Sequence, residues 1–333
     1  MKTLQRFVRV VGFVLLVATF LTACGPQAQE TQKRSLRVAL ILPGSISDQS
    51  FNAAAYEGLM AIRDELGLEV SYSEAVPVAE FDETYRSYSE KGYDIIIGHG
   101  FEFGEPAAKI APEFPHTYYL VTNGNVTGPN LASLEPVFEE AAYLAGVVAG
   151  LMTRSNKVGA IGGMSFPIIV RGIEGFRAGA EAVNPGVQVT TTYIGTLDDV
   201  ARGKEAALAQ ISTGVDVIFH IADAAGVGVI QACEEQKVYA IGFGFDQNPL
   251  APQTVLTSFT VSYRTLLLEA VRRILAGQFE GTIQRYGLAT GVVDLAPYHG
   301  LVPDEVAKRV EQIRQDIISG RVTVPRIDTP PSP

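Results

Sequence analysis

Aromatic rings and short polar side chains recur in this chain just past short apolar runs. Leu36–Leu42 is followed by Ser45, Ser47, Asp48, Gln49, Ser50, Phe51 and Asn52. Later runs lead into His99, Phe101, Glu102 and Phe103, and then into Thr122, Asn123 and Asn125. The second half repeats the arrangement with Met164, Ser165 and Phe166, with Asp198 and Asp199, with His220 and Asp223, and with Phe245, Asp246, Gln247 and Asn248. Rings among short donors and acceptors suit a flat polar solute. A ring face adds ~0.5–1.5 kcal/mol beyond its buried area, while nearby polar groups fix orientation. The same set suits a phosphate or a metal ion less well. Of the four histidines, none stands at i,i+3 or i,i+4 spacing from another. His99 and His220 both end apolar runs, and with Asp223 or Asp246 they form the one metal alternative. No G-x-S-x-G, G-x-x-x-x-G-K-[ST] or H-E-x-x-H motif occurs. The Asp198-Asp199 pair has acid–base chemistry, but a helix start favours acidic residues through its macrodipole alone. The expectation is a binding site without catalytic residues, cofactor or metal.

These residues need a scaffold that gathers the ends of many strands. Leu36–Leu42 is continuously apolar and ends at Pro43-Gly44, as a strand buried on both faces would. Phe51–Leu66 carries apolar residues at helical spacing, with Ser50 or Asp48 as its N-cap. Alternation continues through helix Glu83–Lys91, strand Asp94–Gly98, helix Glu105–Ala111 and strand Thr117–Thr122. A second series runs from helix Glu139–Met152 to strand Val238–Phe243. Such order specifies parallel sheets covered by helices, with right-handed crossovers. In such sheets ligands bind beyond the carboxyl ends of the strands, where the residues above fall. The remaining segments (strand Thr254–Phe259, helix Tyr263–Ala276, strand Ile283–Leu288, helix Asp304–Ile318) complete both sheets by crossing between them. Hinges are expected near Leu134-Glu135-Pro136, Ser258-Phe259 and Gly287–Gly291. This divides the chain into one lobe at 36–134 plus 260–288, a second at 135–259 plus 289–320, and a Pro-rich tail at 321–333, expected to fray.

The 333 residues are 47% hydrophobic and 19% charged, enough to bury a core and to exclude disorder. A net charge of −10, with no basic run, argues against nucleic acid as a partner. Two cysteines exclude a disulfide-stapled scaffold, and Cys233, on an apolar helix face, reads as packing. Residues 1–23 form a secretion signal. Lys2, Arg6 and Arg9 precede the apolar stretch Val10–Phe20, which at ~1.5 Å per residue is too short to span a bilayer core of ~30 Å. The ending Leu21-Thr22-Ala23-Cys24 resembles a bacterial lipobox, which implies acylation of Cys24 and a lipid anchor on the extracytoplasmic side of the cell membrane. Residues 24–35 read as a flexible tether.

Asp48-Gln49-Ser50-Phe51-Asn52 resembles the D-x-S-F-N signature of the basic membrane protein (BMP) family, substrate-binding lipoproteins of ABC importers best represented by purine-nucleoside receptors. Ala141-Ala142-Tyr143-Leu144-Ala145-Gly146 is similar to its E-A-x-Y-L-A-G helix. Lys157–Gly163 is similar to its K-x-G-x-x-G-G strand, and Gly175-Phe176-Arg177-Ala178-Gly179 to its G-F-x-A-G helix. The resemblance implies a type I periplasmic-binding fold, two Rossmann-like lobes joined by a multi-strand hinge. It also implies a purine nucleoside or nucleobase stacked on Phe51, with Asp48 and Asn52 as polar contacts. Implied partners are an ABC permease and ATPase, with a monomeric receptor. A sensory receptor for a membrane signalling protein and, less favoured, a surface nucleoside hydrolase are the alternatives.

Two positions depart from the family pattern. Where the family has I-G-V-D-x-D-Q, this chain reads Ile241-Gly242-Phe243-Gly244-Phe245-Asp246-Gln247, so Gly244 replaces the carboxylate that the family uses on ribose. Where it has a lysine after L-T-S, this chain has Phe259-Thr260-Val261. A hydroxyl without its acceptor forfeits on the order of 1–3 kcal/mol. The expected ligand is therefore a free base or altered nucleoside, with His99, His220 or Asp246 compensating and Phe101 and Phe166 completing the aromatic wall.

Overall fold

The computed structural model describes residues 36–48 and 51–330. The expected signal, the tether with Cys24, and the Gln49 and Ser50 positions lie outside the described residues, as do 331–333. Two six-stranded sheets organise the rest. The first contains β1 (Arg37–Ile41), β2 (Glu69–Ser73), β3 (Ile95–His99), β4 (Tyr118–Thr122), β5 (Leu131–Pro136) and a later strand, β11 (Ile283–Tyr286), in the order β11-β5-β4-β3-β1-β2. All its pairings are parallel. Between its strands run α1 (Phe51–Leu66), α2 (Phe81–Glu90) and α3 (Gly104–Ile110).

The second sheet is built by β6 (Lys157–Gly162), β7 (Gln188–Tyr193), β8 (Val217–Ile221), β9 (Tyr239–Gly244), β10 (Val255–Val261) and β12 (Val293–Leu295). Its order is β12-β10-β9-β8-β6-β7, and β12 alone runs antiparallel. Helices α4 (Phe138–Met152), α5 (Pro167–Val183), α6 (Val200–Ser212) and α7 (Gly226–Gln236) belong with it. Helix α8 (Tyr263–Leu275) returns to pack on α1, and α9 (Asp304–Ile318) closes against α4. This is the doubly wound, two-lobed α/β architecture of type I periplasmic-binding proteins.

Inner strands are apolar because both faces are covered, and every residue of β3 and β8 is buried. The segment Leu134–Pro136, expected as a hinge, is the buried end of β5, paired between β4 and β11. Its Glu135 and Pro136 disguise it in sequence. Helices α4 and α5 cross with their backbones in contact. A Cβ on Gly146 would lie 1.9 Å from the Phe176 carbonyl oxygen, and one on Gly179 2.0 Å from that of Tyr143. The glycines of these two motifs therefore serve close packing, since any side chain would drive the helices apart.

An ion cluster sits where β5 leaves the first sheet. Glu135 is only 3% exposed, yet it takes Arg326 at 2.5 and 2.9 Å, Arg285 at 3.1 Å and Arg171 at 2.7 Å. The Arg171 contact is an ion pair off the hydrogen-bonding direction. Arg171 Nε also donates to Asp328 at 2.5 Å, and Arg285 Nη2 to Glu139 at 2.6 Å. The expected fraying of the tail is thus corrected for its described part: Arg326 and Asp328 fasten it to β5 and α5. Burial by itself would raise the Glu135 pKa, but Arg326 and Arg171 outweigh it and hold the carboxyl below its usual range. Stability from such a group is present above the unfolded pKa of ~4.3 and is lost as pH falls through the lower folded value. Glu135→Gln should cost about 3–5 kcal/mol at neutral pH by leaving buried guanidinium charge uncompensated. The gap between variant and parent should narrow in acid, as read by thermal denaturation across pH.

Candidate functional site

Between the two sheets lies a cavity of about 710 Å³, within the ~300–1,000 Å³ common for small-molecule sites. A shallower depression of about 500 Å³ lies against edge strand β2 between Tyr56, Met60 and Tyr72; no second lobe faces it. The larger cavity is bounded by strand ends and helix starts from both lobes, as the parallel order requires.

Phe51, the first residue of α1, puts its ring in this cavity. Its other face is stacked on the His99 imidazole, 3.8 Å between centroids and 25° from parallel, and Tyr263 meets it edge-on at 5.4 Å. His99 Nε2 lies 3.0 Å from the Phe51 carbonyl oxygen, and Nδ1 lies 2.8 Å from Thr122 Oγ1. A carbonyl can only accept, so Nε2 carries the proton and Nδ1 accepts from the threonine hydroxyl. Burial lowers the His99 pKa to about 3, which keeps the ring neutral.

The Asp48 carboxylate accepts from the Asn52 backbone N–H at 2.8 Å, from Asn52 Nδ2 at 2.8 Å and from the Ala53 N–H at 3.0 Å. It caps α1 while facing the cavity. Asn52 Oδ1 accepts from the Gly44 N–H at 3.2 Å, so this amide joins the β1 loop to the helix start. Phe101, Phe166 and Phe245 line the same space and are 40%, 41% and 44% exposed. Three large rings left open to solvent in one cleft mark a surface built to be covered. Asp246 also lines it, but accepts from His299 Nε2 at 2.8 Å and from the Asn248 N–H at 3.1 Å. His299, itself exposed, is thereby tied to Asp246 at the cavity rim.

His99 and His220 are corrected from contacts to supports. Both are fully buried and neither lines the cavity. His220 Nε2 donates to Gln247 Oε1 at 2.9 Å; that oxygen also accepts from the Phe243 N–H, and the Gln247 N–H donates to Ser258. The ring thus shapes the β9 turn from behind, and burial lowers its pKa to about 4. Both imidazoles are buried behind the cavity wall, with ring nitrogens engaged by Phe51, Thr122 and Gln247, so they are not presented to Asp223 or Asp246 as the metal alternative requires. Among the described residues no cluster of three or more His, Cys, Asp and Glu could hold a metal ion. Cys233 is buried in α7, and burial pushes its thiol up to about 12.

Several cavity residues were missed as site residues. Phe138 follows β5, which reads as a hinge in sequence, so the strand-end rule was not applied there. Ser262 and Tyr263 follow β10, which continues past Phe259 to Val261. Extending that strand by two residues would have found them. Tyr263 shares a hydrogen bond of 3.0 Å with Asn123 Nδ2. Asn123 and Asp223, two of the strand-end polar groups, have φ of 57° and 43°, the left-handed region that non-glycine residues avoid. Burial, then Asp198 and Asp48, push the Asp223 pKa up to about 7. Asp199 faces elsewhere, capping α6 by accepting from the Arg202 N–H at 3.1 Å.

The two buried histidines set a pH dependence. Each has its folded pKa below the unfolded ~6.5, so unfolding takes up protons and stability falls as pH drops from ~6.5 toward the folded values. Calorimetric unfolding in mild acid should take up close to one proton at each histidine, offset in part by the proton that Asp223 releases because its folded pKa is raised. His99→Gln and His220→Gln should each remove about one.

A model of the Bmp family, described as "ABC transporter substrate-binding protein PnrA-like", matches residues 35–328. The ABC transporter nucleoside-binding protein BmpA of Lactococcus lactis subsp. cremoris is 30% identical over 317 residues, covering 88% of this chain and 90% of that one. The crystal structure of a solute-binding protein of an ABC transporter system from Aeropyrum pernix K1 superposes with a TM-score of 0.75 at 25% identity, over 88% of this chain and 94% of that one. A transcriptional activator of the comK gene from Bacillus halodurans gives a TM-score of 0.78 at 28% identity, over 86% and 99%. With the family match running across both sheets and the cleft between them, this chain belongs to the Bmp family of ABC-transporter substrate-binding proteins.

Proposed function

We propose that this ABC substrate-binding protein captures a purine nucleoside or the related nucleobase in its interlobe cavity. The observation that carries this reading is the Phe51 ring, open to the cavity on one face and backed by neutral His99 on the other. A planar heterocycle stacked there gains contact without needing charge from the protein. Asp48 and Asn52 supply polar edges, Phe101 adds to the wall of the first lobe, and Phe166 and Asp246 line the second. The relative from Lactococcus lactis is named as nucleoside-binding, which supports the same class. The lobe expected at 36–134 with 260–288, which sheet pairing carries to Pro136 and starts again after Val261, would move as one body against the second. Ligand touching both favours the closed form by its differential affinity alone.

Gly244 and Val261 both line the cavity, at the positions where the family carries a carboxylate and an ammonium. Gly244 has φ of 89°, and a Cβ there would meet nothing within 4 Å, so the wall is open where a ribose would seek an acceptor. This supports a base or altered nucleoside over an ordinary ribonucleoside. Calorimetric titration with adenine, guanine, adenosine and guanosine tests the reading. At least one of the four should bind, bases should exceed their ribonucleosides, and Phe51→Ala should weaken binding by about 1–3 kcal/mol. No binding by any of the four would overturn the purine assignment.

The lipobox supports a receptor anchored through Cys24 beside its permease and ATPase. Labelled fatty acid should enter the parent chain in a bacterial host and be absent from Cys24→Ser. Likeness to a transcriptional activator favours a second reading, a ligand-sensing receptor. Loss of uptake in a deletion strain would support import over sensing.

A further inference from the structure

The charges around the cavity are lopsided. Six carboxylates line it: Asp48, Glu57 and Glu102 from the first lobe, and Asp198, Asp223 and Asp246 from the second. The one cationic side chain among the described lining residues is Arg264, and its guanidinium is bonded to Glu65, which also takes Arg272 at 3.0 Å. Asp48 and Asp246 spend their oxygens on the α1 start and on His299 and Asn248, which fix both carboxylates in place. Asp223 is different. It is half-buried, no hydrogen bond to its carboxylate exists among the described residues, and it lies within electrostatic reach of Asp198 and of Asp48 across the cleft. Repulsion among these three groups opposes closure unless positive charge comes between them. The same walls carry Phe51, Phe101, Phe166, Phe243 and Phe245, whose ring faces attract cations.

Building on the purine reading, we infer that the preferred ligand is a cationic planar heterocycle, an N-alkylated or protonated purine, whose positive charge sits against Asp223 and Asp198 while its ring stacks on Phe51. A neutral purine satisfies the aromatic faces and leaves the carboxylates facing one another. An anionic one, such as a nucleotide, meets the cavity with the wrong sign. The raised pKa of Asp223 accords with this, because it records how poorly the empty cavity tolerates that group's ionisation.

The test compares ligands matched in shape and different in charge. Titrations of the purified protein at neutral pH would use adenosine against 1-methyladenosine, guanosine against 7-methylguanosine, and 1-methylnicotinamide as an aromatic cation without a purine ring. The expected result is that at least one methylated purine binds about tenfold or more tighter than its neutral parent, ~1.4 kcal/mol, with an affinity that falls as salt is added. In Asp223→Asn the ratio between the two members of that pair should drop toward unity. Circular dichroism would establish that the variant is folded, and Asp198→Asn offers a second reading of the same ratio. Neutral parents binding as well as or better than both methylated purines would overturn the charge inference and leave the purine reading intact. Binding of 1-methylnicotinamide alone would overturn the purine reading and sustain the charge inference. Silence from all five compounds would overturn the charge inference, and silence from adenine and guanine as well would overturn the purine reading with it.

Discussion

The stack of Phe51 on His99 is the contact on which the binding face depends. Phe51 opens α1 with its ring in a cleft, where a lone side chain would sample several rotamers. The imidazole beneath it is buried, neutral and bonded at both nitrogens, so it is a fixed floor. One of those bonds reaches the Phe51 carbonyl, so a single residue of β3 restrains both backbone and ring of a residue of α1. A ligand that stacks on the exposed face finds a surface already ordered, and less of its binding energy is lost to ordering it.

Much of the molecule serves to bring such groups together. Parallel strands end on one side, so each strand end delivers a residue to the cleft, and the helix that follows starts there. Asp48 shows the economy of this geometry, capping α1 and presenting a carboxylate to the ligand space at once. The second lobe uses a buried His220–Gln247–Ser258 chain to hold the β9 turn, from which Phe245 and Asp246 reach the cleft. At the junction of the lobes, Glu135 gathers three arginines, one of them from the tail. A carboxylate so placed ties the end of β5, α5, β11 and the final segment to one point near the place where the chain changes sheet.

The strand-end rule located most of the cavity's aromatic and polar lining from residue order alone. Phe51, Phe101, Phe166 and Asp246 line it because the loops after inner parallel strands open toward the cleft. The rule misassigned His99 and His220, which sit within the last turn of strand pleat and point into the layers between sheet and helix. Strand alternation decides that orientation, and one residue of register separates floor from wall. Phe138 and Tyr263 escaped because β5 and the end of β10 carry Glu, Pro and Thr, and only pairing with neighbours reveals them as strands.

Composition, periodicity and short motifs were therefore sufficient for the fold class, the order of elements and the family, because these are local or repetitive signals. Charge balance within the cavity was not legible, since it depends on which of many acidic residues from distant segments converge and which are already bonded. Asp246 and Asp223 look alike in sequence; one is held by His299 and the other has no donor among the described residues. That difference arises from long-range packing, which the chain encodes only as a whole.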